Sequence, residues 1–185
     1  MRCFGDGDEL YELYHDTEWG RPQTSERALF EKVCLEGFQA GLSWLTVLRK
    51  RAALREVFHG FDPVEVAAMD VTPLLEDARL IRSAAKLRAC VRNAEATLAL
   101  GGALPDLVWS YRDDTPAPTS WQNVPPLTPG STALAKQLKK AGFVFVGPIT
   151  VYSLMQACGI VNDHLVQCAV RAEVQQDRSK AIPLA

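Results

Sequence analysis

A chain of 185 residues, 48% of them hydrophobic, is long enough to bury a full core without covalent staples, which excludes disulfide-built mini-folds and leaves one domain or two small lobes sharing a cleft. A formal net charge of −2 excludes a chain-wide polycation, so any nucleic-acid contact must rest on local basic patches. The opening Met-Arg-Cys-Phe-Gly-Asp has no apolar leader core, and no run approaches the roughly 20 apolar residues that cross a bilayer. The expectation is a cytoplasmic monomer with no membrane partner. Its five cysteines, Cys3, Cys34, Cys90, Cys158 and Cys168, are then reduced and either fill the core or bind metal.

Charge is unevenly placed. Asp6, Asp8, Glu9, Glu12, Asp16 and Glu18 crowd one segment. Arg49-Lys50-Arg51, the stretch from Arg82 to Arg92, and Lys136, Lys139 and Lys140 are basic, and each reads either as a phosphate contact or as a solvated helix face. Leu10 to His15 predicts a short helix or turn that gathers Tyr11, Tyr14 and His15, with Trp19-Gly20 following. Thr24 or Ser25 caps the next helix, which carries Leu29 to Glu36 and is broken at Gly37 and Gly41. Ser43 caps a helix to about Phe58, stopped by His59-Gly60. Asp62-Pro63-Val64-Glu65 and Thr72-Pro73 are both cap-then-proline starts. Ser83 opens a long helix with the stripe Leu87, Cys90, Val91, Ala94 and Leu98, ended by Gly101-Gly102.

A short helical piece from Leu104 to Tyr111 leads into five prolines between 116 and 129. That density rules out a regular helix or central strand, so 112–130 is expected to be a surface loop tying two lobes together. Ser131 or Thr132 begins a basic amphipathic helix through Leu134, Leu138 and Ala141. Pro148 starts another, ending at Gly159, and Asn162 or Asp163 caps a last helix carrying His164 and Cys168, with a polar, mobile tail from Arg171. The fold class is all-α.

Three groups of residues carry chemistry. Leu29, Val33, Glu36 and Ala40 share one helical face, so Glu36 puts a carboxylate where an apolar residue belongs. An ionised carboxylate taken out of water costs several kcal/mol unless paired, and Arg27 and Lys32 are expected to point elsewhere. Glu36 is therefore either a pocket acid awaiting a polar or cationic ligand, with Trp44 as a flat wall, or a side chain bending back to solvent at Gly37. Residues 131–159 read as helix, six-residue glycine-bounded hairpin, helix, in which free amides and the helix dipole favour a phosphate. The same segment also fits an apolar β-like stretch, Phe143 to Val146, buried between helices. His164 and Cys168, four apart on a predicted helix, are a candidate pair of Zn²⁺ ligands that Cys3 and His15 would complete as a closed structural site joining the chain ends. The competing reading is a chance pairing. Nucleophile elbows, Walker loops and His-Glu-x-x-His are all missing from the sequence, and His59 is assigned no role.

These pieces coincide, in order, with the motifs of a known family. Tyr14-His15-Asp16-Thr17-Glu18-Trp19-Gly20, Cys34-Leu35-Glu36-Gly37, Gln39-Ala40-Gly41-Leu42-Ser43-Trp44, Gly142-Phe143 to Val146-Gly147, and Met155 to Gly159 through Val161-Asn162-Asp163-His164 resemble the constitutive bacterial 3-methyladenine DNA glycosylase I family, over Cys3 to Cys168. The resemblance implies a helix-hairpin-helix glycosylase fold of two helical lobes, one catalytic domain over 1–185, and a pocket for a base flipped out of alkylated double-stranded DNA. Carried over by position, Cys3, His15, His164 and Cys168 bind a structural Zn²⁺. Glu36 is the catalytic pocket acid; Tyr14 and Trp44 hold the base, and Tyr11, Trp19 and Phe4 form or brace the wall. Gly41 and Leu42 press into the DNA, and Lys139, Lys140, Gly142 and Gly147 face its backbone.

The implied reaction is hydrolysis of the N-glycosidic bond, releasing free 3-methyladenine and leaving an abasic site. N3-methylation makes adenine a cation, which suits a carboxylate and aromatic faces worth roughly 0.5–2 kcal/mol each. Lyase-type relatives place a lysine just after the hairpin, where this chain has Pro148-Ile149-Thr150, so the enzyme is expected to be monofunctional. Two departures stand out: Asn162 occupies the position where related glycosylases carry the acid of Val-Asp-x-His, and Phe4-Gly5 stands where the family often has a pocket tryptophan. The alternatives are a non-catalytic, zinc-stapled helix-hairpin-helix module that binds DNA or senses alkylation, and a free-base binding protein.

Overall fold

The computed structural model describes residues 1–181, and every regular element among them is helical: α1 (Glu9–Thr17), α2 (Glu26–Gln39), α3 (Trp44–Val57), α4 (Pro63–Ala67), α5 (Ala84–Ala99), α6 (Leu104–Trp109), α7 (Pro129–Lys140), α8 (Pro148–Ala157) and α9 (Arg171–Ala181), with 3-10 turns at Pro73–Glu76 and Trp121–Asn123. The starts follow cap chemistry. Asp8 accepts from the Tyr11 amide, Ser25 from Ala28, Ser43 from Thr46 and Asp62 from Val64, each satisfying a donor that no helical carbonyl reaches. α7 begins earlier than expected. Its cap is Thr128, not Ser131 or Thr132, and Ser131 returns a bond to the Thr128 amide, so Pro129 and Gly130 belong to the first turn rather than the loop.

α2 is the central element. Leu29, Phe30, Val33, Leu35 and Phe38 are buried around its circumference, and it packs against α3, α5, α6 and α8. It runs unbroken through Gly37, where a Cβ would stand 3.3 Å from that of Phe145. The missing side chain is a close approach rather than a helix stop. The chain turns at Gly41 (φ 76°), and the Lys86 ammonium donates to the Phe38 and Ala40 carbonyls at the helix end. From α5, Leu87, Cys90 and Ala94 enter the core as expected, but Leu98 is exposed and Asn93 is buried instead. Asn93 clamps the turn after α7, accepting from the Val144 amide (2.8 Å) and donating to the Val144 carbonyl (3.2 Å). α7 and α8 pack on each other across 141–147, where Phe143 and Val146 are buried, Phe145 is exposed, and no strand forms.

The C-terminal part corrects the sequence reading. Residues 161–170 are irregular, so His164 and Cys168 do not share a helix, and Arg171 onward is helical and docked, not a mobile tail. Arg178 is wholly buried: it donates to the carbonyls of Gly159, Ile160 and Asp113 and pairs with Asp114 at 2.7 Å. A charge-assisted network thus supplies the anchor that periodicity seeks in apolar side chains. The tail beyond Ala181 lies outside the described residues. No helix among the described residues is long and apolar enough to cross a membrane.

Candidate functional site

Three helices each contribute a pair of side chains three residues apart, the spacing that puts both on one face. Tyr11 and Tyr14 come from α1, Glu36 and Gln39 from the last turn of α2, and Ser153 and Gln156 from α8. They converge with Trp44, at the start of α3, on a cavity of about 230 Å³ that Phe4, Trp19 and Trp121 close. Ring centres lie 5.3 Å apart for Tyr14 and Trp44, 4.8 Å for Phe4 and Tyr11, and 5.0 Å for Phe4 and Trp19. All six sequence-predicted pocket residues therefore meet. Gln39, Ser153, Gln156 and Trp121 join them without having been anticipated; the first three share helical spacing that could have revealed them, whereas nothing in the sequence pattern marks Trp121.

Glu36 is 3% exposed, which excludes a side chain bending back to solvent. Its Oε2 and the indole Nε1 of Trp44 are both buried with no hydrogen-bond partner. Leaving such a group unpaired costs about 1–3 kcal/mol, more when it is charged, so the cavity presents an acceptor and a donor that no group among the described residues satisfies. Burial pushes the Glu36 carboxyl up to about 8, and the nearby Lys32 charge opposes this. Lys32 corrects the sequence expectation: one turn before Glu36 on the same face, it is buried, with its ammonium 3.3 Å from Glu18 and 5.2 Å from the Tyr14 ring centre. Glu18 is also gripped by Arg51 at 2.6 and 2.7 Å. Arg27 does face away, donating to the His59 and Gly60 carbonyls. Burial, reinforced by Glu36, raises the Tyr14 phenol well above its ordinary value, so it stays neutral.

Asp163 braces the α8 side, accepting from Tyr152 Oη (2.6 Å) and Gln156 Nε2 (2.7 Å). A carboxylate takes only donors, so the Gln156 amide oxygen is turned away from it. Asn162 does not line the cavity; its amide donates to Gln175 and so ties 161–170 to α9.

A second recess shares Glu36, Gln39 and Ser153 with the cavity and is bordered by Gly41, Leu42, Ile149 and Thr150. Leu42, Phe145 and Ile149 are exposed apolar side chains. Gly147 caps α8 without a side-chain bond, no acidic residue occupies the first turn, and Gly142 has φ 101°. Lys139 and Lys140 are exposed in the last turn of α7. The Arg49-Lys50-Arg51 cluster is spent internally: Arg49 on Asp8, Lys50 on the Ala78 and Arg79 carbonyls, Arg51 on Glu18.

Behind the aromatic wall, the ligand atoms of Cys3, His15, His164 and Cys168 all lie within 4.8 Å of one another. His164 Nδ1 is 3.6 Å from Cys3 Sγ and 3.3 Å from Cys168 Sγ, and His15 Nε2 is 3.5 Å from Cys168 Sγ. Tetrahedral Zn²⁺, with Zn–S of about 2.3 Å and Zn–N of about 2.0 Å, separates nitrogen from sulfur by roughly 3.5 Å. The far ring nitrogens are also held, His15 Nδ1 by Asp16 (2.8 Å) and His164 Nε2 by the Trp19 carbonyl (3.0 Å), which turns the remaining lone pairs on the cluster. Arg2 in turn grips Asp16 at 2.9 and 3.0 Å. Burial pushes the Cys3 thiol up to about 12 and lowers His164 to about 4. The four side chains come together through the wrapping of the chain ends, not through helical spacing. Phe4 follows Cys3 and Tyr14 precedes His15, so the cluster also sets the pocket wall.

Comparisons with known proteins identify relatives of this chain. A family model described as methyladenine glycosylase matches residues 4–172. DNA-3-methyladenine glycosylase 1 of Escherichia coli (strain K12) is 51% identical over 170 residues, 87% of this chain and 91% of that protein. A crystal structure of 3-methyladenine DNA glycosylase I superposes with a TM-score of 0.88 at 49% identity, covering 91% of this chain and 98% of that one. A single-residue variant of 3-methyladenine DNA glycosylase I in complex with 3-methyladenine gives 0.87 at 34% identity, covering 91% and 96%. The chain belongs to the methyladenine glycosylase family.

Proposed function

We propose that this protein hydrolyses the N-glycosidic bond of 3-methyladenine in alkylated duplex DNA, releasing the free base and leaving an abasic site. The observation that carries this reading is the partnerless Glu36 carboxyl beside the partnerless Trp44 N–H in an aromatic cavity. A flipped N3-methylated adenine brings positive charge and amino hydrogens, so Glu36 gains a cation to ionise against and a donor to accept from. The faces of Tyr14 and Trp44 stack on the base, and Tyr11, Trp19 and Phe4 complete the wall. When the C1′–N9 bond breaks, its electron pair neutralises the base, and water adds to C1′ of the resulting sugar cation, giving up a proton to solvent. The base leaves neutral without a proton from the protein, which accords with Asn162 being turned to α9 and away from the cavity. No lysine lines the cavity among the described residues, so the enzyme is read as monofunctional.

The α7–turn–α8 unit is the helix-hairpin-helix of this reading. The open α8 start at Gly147, with Gly142, Lys139 and Lys140 beside it, favours a DNA phosphate. Leu42, exposed beside the recess that shares Glu36, enters the space the base leaves, with Gly41 giving the turn. Cys3, His15, His164 and Cys168 fit a structural Zn²⁺ with no open position, which would fasten the chain ends behind the pocket. The whole is read as a single cytoplasmic, monomeric catalytic domain over 1–185, with two helical lobes. A non-catalytic DNA-binding or alkylation-sensing module needs no buried unpaired acid, and the state of Glu36 favours the enzyme. The test is chromatographic: wild-type protein is expected to free 3-methyladenine from methylated duplex DNA without cutting the strand, and duplex binding with no base release would overturn the reading.

A further inference from the structure

The loop between α6 and α7 does more than join its neighbours. The Thr119 and Ser120 hydroxyls both donate to Asn123 Oδ1, at 2.9 and 2.7 Å, closing the 3-10 turn that begins at Trp121. The Val166 amide donates to the Pro118 carbonyl (2.9 Å), and Trp121 Nε1–H donates to the Cys3 carbonyl at 2.5 Å. These bonds hold the indole centre 6.1 Å from Phe4 and 6.0 Å from Trp19, where the ring lines the cavity. A ring serving only as filling would be covered, yet Trp121 keeps 37% of its surface exposed. With its sole donor spent on Cys3, only its π face and edges are left for a guest. Ring contacts link Trp44 through Tyr14, Tyr11 and Phe4 to Trp121, so both indoles belong to one continuous aromatic lining.

We propose that Trp121 is a substrate-binding residue of the pocket: the indole delivered by the proline-rich loop stacks on the flipped base and favours a flat, positively charged purine. This rests on the base-pocket reading given above. Phe4, its neighbour, offers a smaller face, whereas tryptophan is the strongest of the aromatic side chains toward a cation.

The experiment is steady-state release of 3-methyladenine from methylated duplex DNA by the full chain, comparing wild type with Trp121→Ala, Trp121→Leu, Trp121→Phe and Glu36→Gln, with metal content and thermal unfolding measured on each. All three Trp121 variants lose the bond to Cys3 alike, so differences among them report on the ring. Trp121→Ala is expected to raise KM by roughly 2- to 30-fold with a smaller change in kcat. Trp121→Phe should recover most of the loss, and Trp121→Leu, apolar but without a π face, should not. Equal performance of the Leu and Phe variants would reduce Trp121 to an apolar spacer and overturn the proposal, as would a wild-type KM in Trp121→Ala. If that wild-type KM accompanies an impaired Glu36→Gln, only this inference fails; if Glu36→Gln also releases base at the wild-type rate, the base-pocket reading fails with it.

Discussion

Two buried polar constellations lie on either side of the Phe4–Trp19 wall, and they are finished differently. At the Cys3–His15–His164–Cys168 cluster the atoms face one another, and both imidazoles are braced from behind by Asp16 and the Trp19 carbonyl. In the cavity, Glu36 Oε2 and Trp44 Nε1 are left without partners although their surroundings are tightly held. Full bracing suits a permanent occupant, because pre-set geometry lowers the cost of binding once and for all. Unpaired groups suit a transient one, because the free energy they lack is recovered each time a guest enters and is given up when it leaves. The contrast is the one expected between the proposed metal centre and the proposed base pocket.

That contrast can be broken most forcefully at the cluster. Stripping the proposed Zn²⁺ with a chelator is expected to lower stability by several kcal/mol, on the order of 10 °C in Tm, since the binding energy of a structural zinc is folding energy. Unchanged unfolding after complete removal, checked by mass spectrometry, would deny the cluster its structural role. On the pocket side the expected sign is opposite: Glu36→Gln should stabilise the empty protein. Burial pushes the folded carboxyl up to about 8, against 4.5 for a solvated glutamate, so the folded state holds a proton that the unfolded chain gives up between those values. The contribution of Glu36 to wild-type stability is therefore fully present below pH 4.5 and is lost as pH rises from there through 8. The variant should gain nothing at pH 4 and up to about 3 kcal/mol at pH 7, read from urea unfolding at the two pH values.

Smaller effects sharpen the same comparison. Gly20 has φ 80°, and a Cβ there would lie 3.1 Å from His164 Nε2, so Gly20→Ala should cost about 1–3 kcal/mol and loosen metal retention while leaving the Glu36 titration in place. Thermal unfolding and metal content together check this. Lys139→Glu and Lys140→Glu touch neither constellation. Each should reduce the slope of log affinity against log salt for duplex DNA by about 1, with Tm unchanged.

Much of this was legible in the sequence, and the misses share a cause. Caps at Ser25, Ser43 and Asp62 are local chemistry and were readable. Glu36 announced itself by breaking an apolar face. Lys32 sits four residues before Glu36, the position that shares its face, and it is buried there because Glu18 and the Tyr14 ring receive its ammonium, partners that helical spacing does not encode. The cluster's residues were identifiable but not its geometry, because 161–170 is irregular and convergence depends on how the ends wrap. The helix Arg171–Ala181 was invisible to periodicity because Arg178, not an apolar stripe, fixes it. Trp121 leaves no trace, since its place comes from its own bond to Cys3 and from the Thr119 and Ser120 bonds to Asn123, none of which any spacing encodes.

The central claim is that the unpaired Glu36 carboxyl exists to ionise against a cationic base. Its most direct test is base release from methylated duplex DNA by Glu36→Gln, run alongside duplex binding at the same salt. The account predicts binding near wild type with kcat/KM for 3-methyladenine lowered on the order of 100-fold, the scale of losing one buried charge partner. Base release at the wild-type rate by that variant would contradict it.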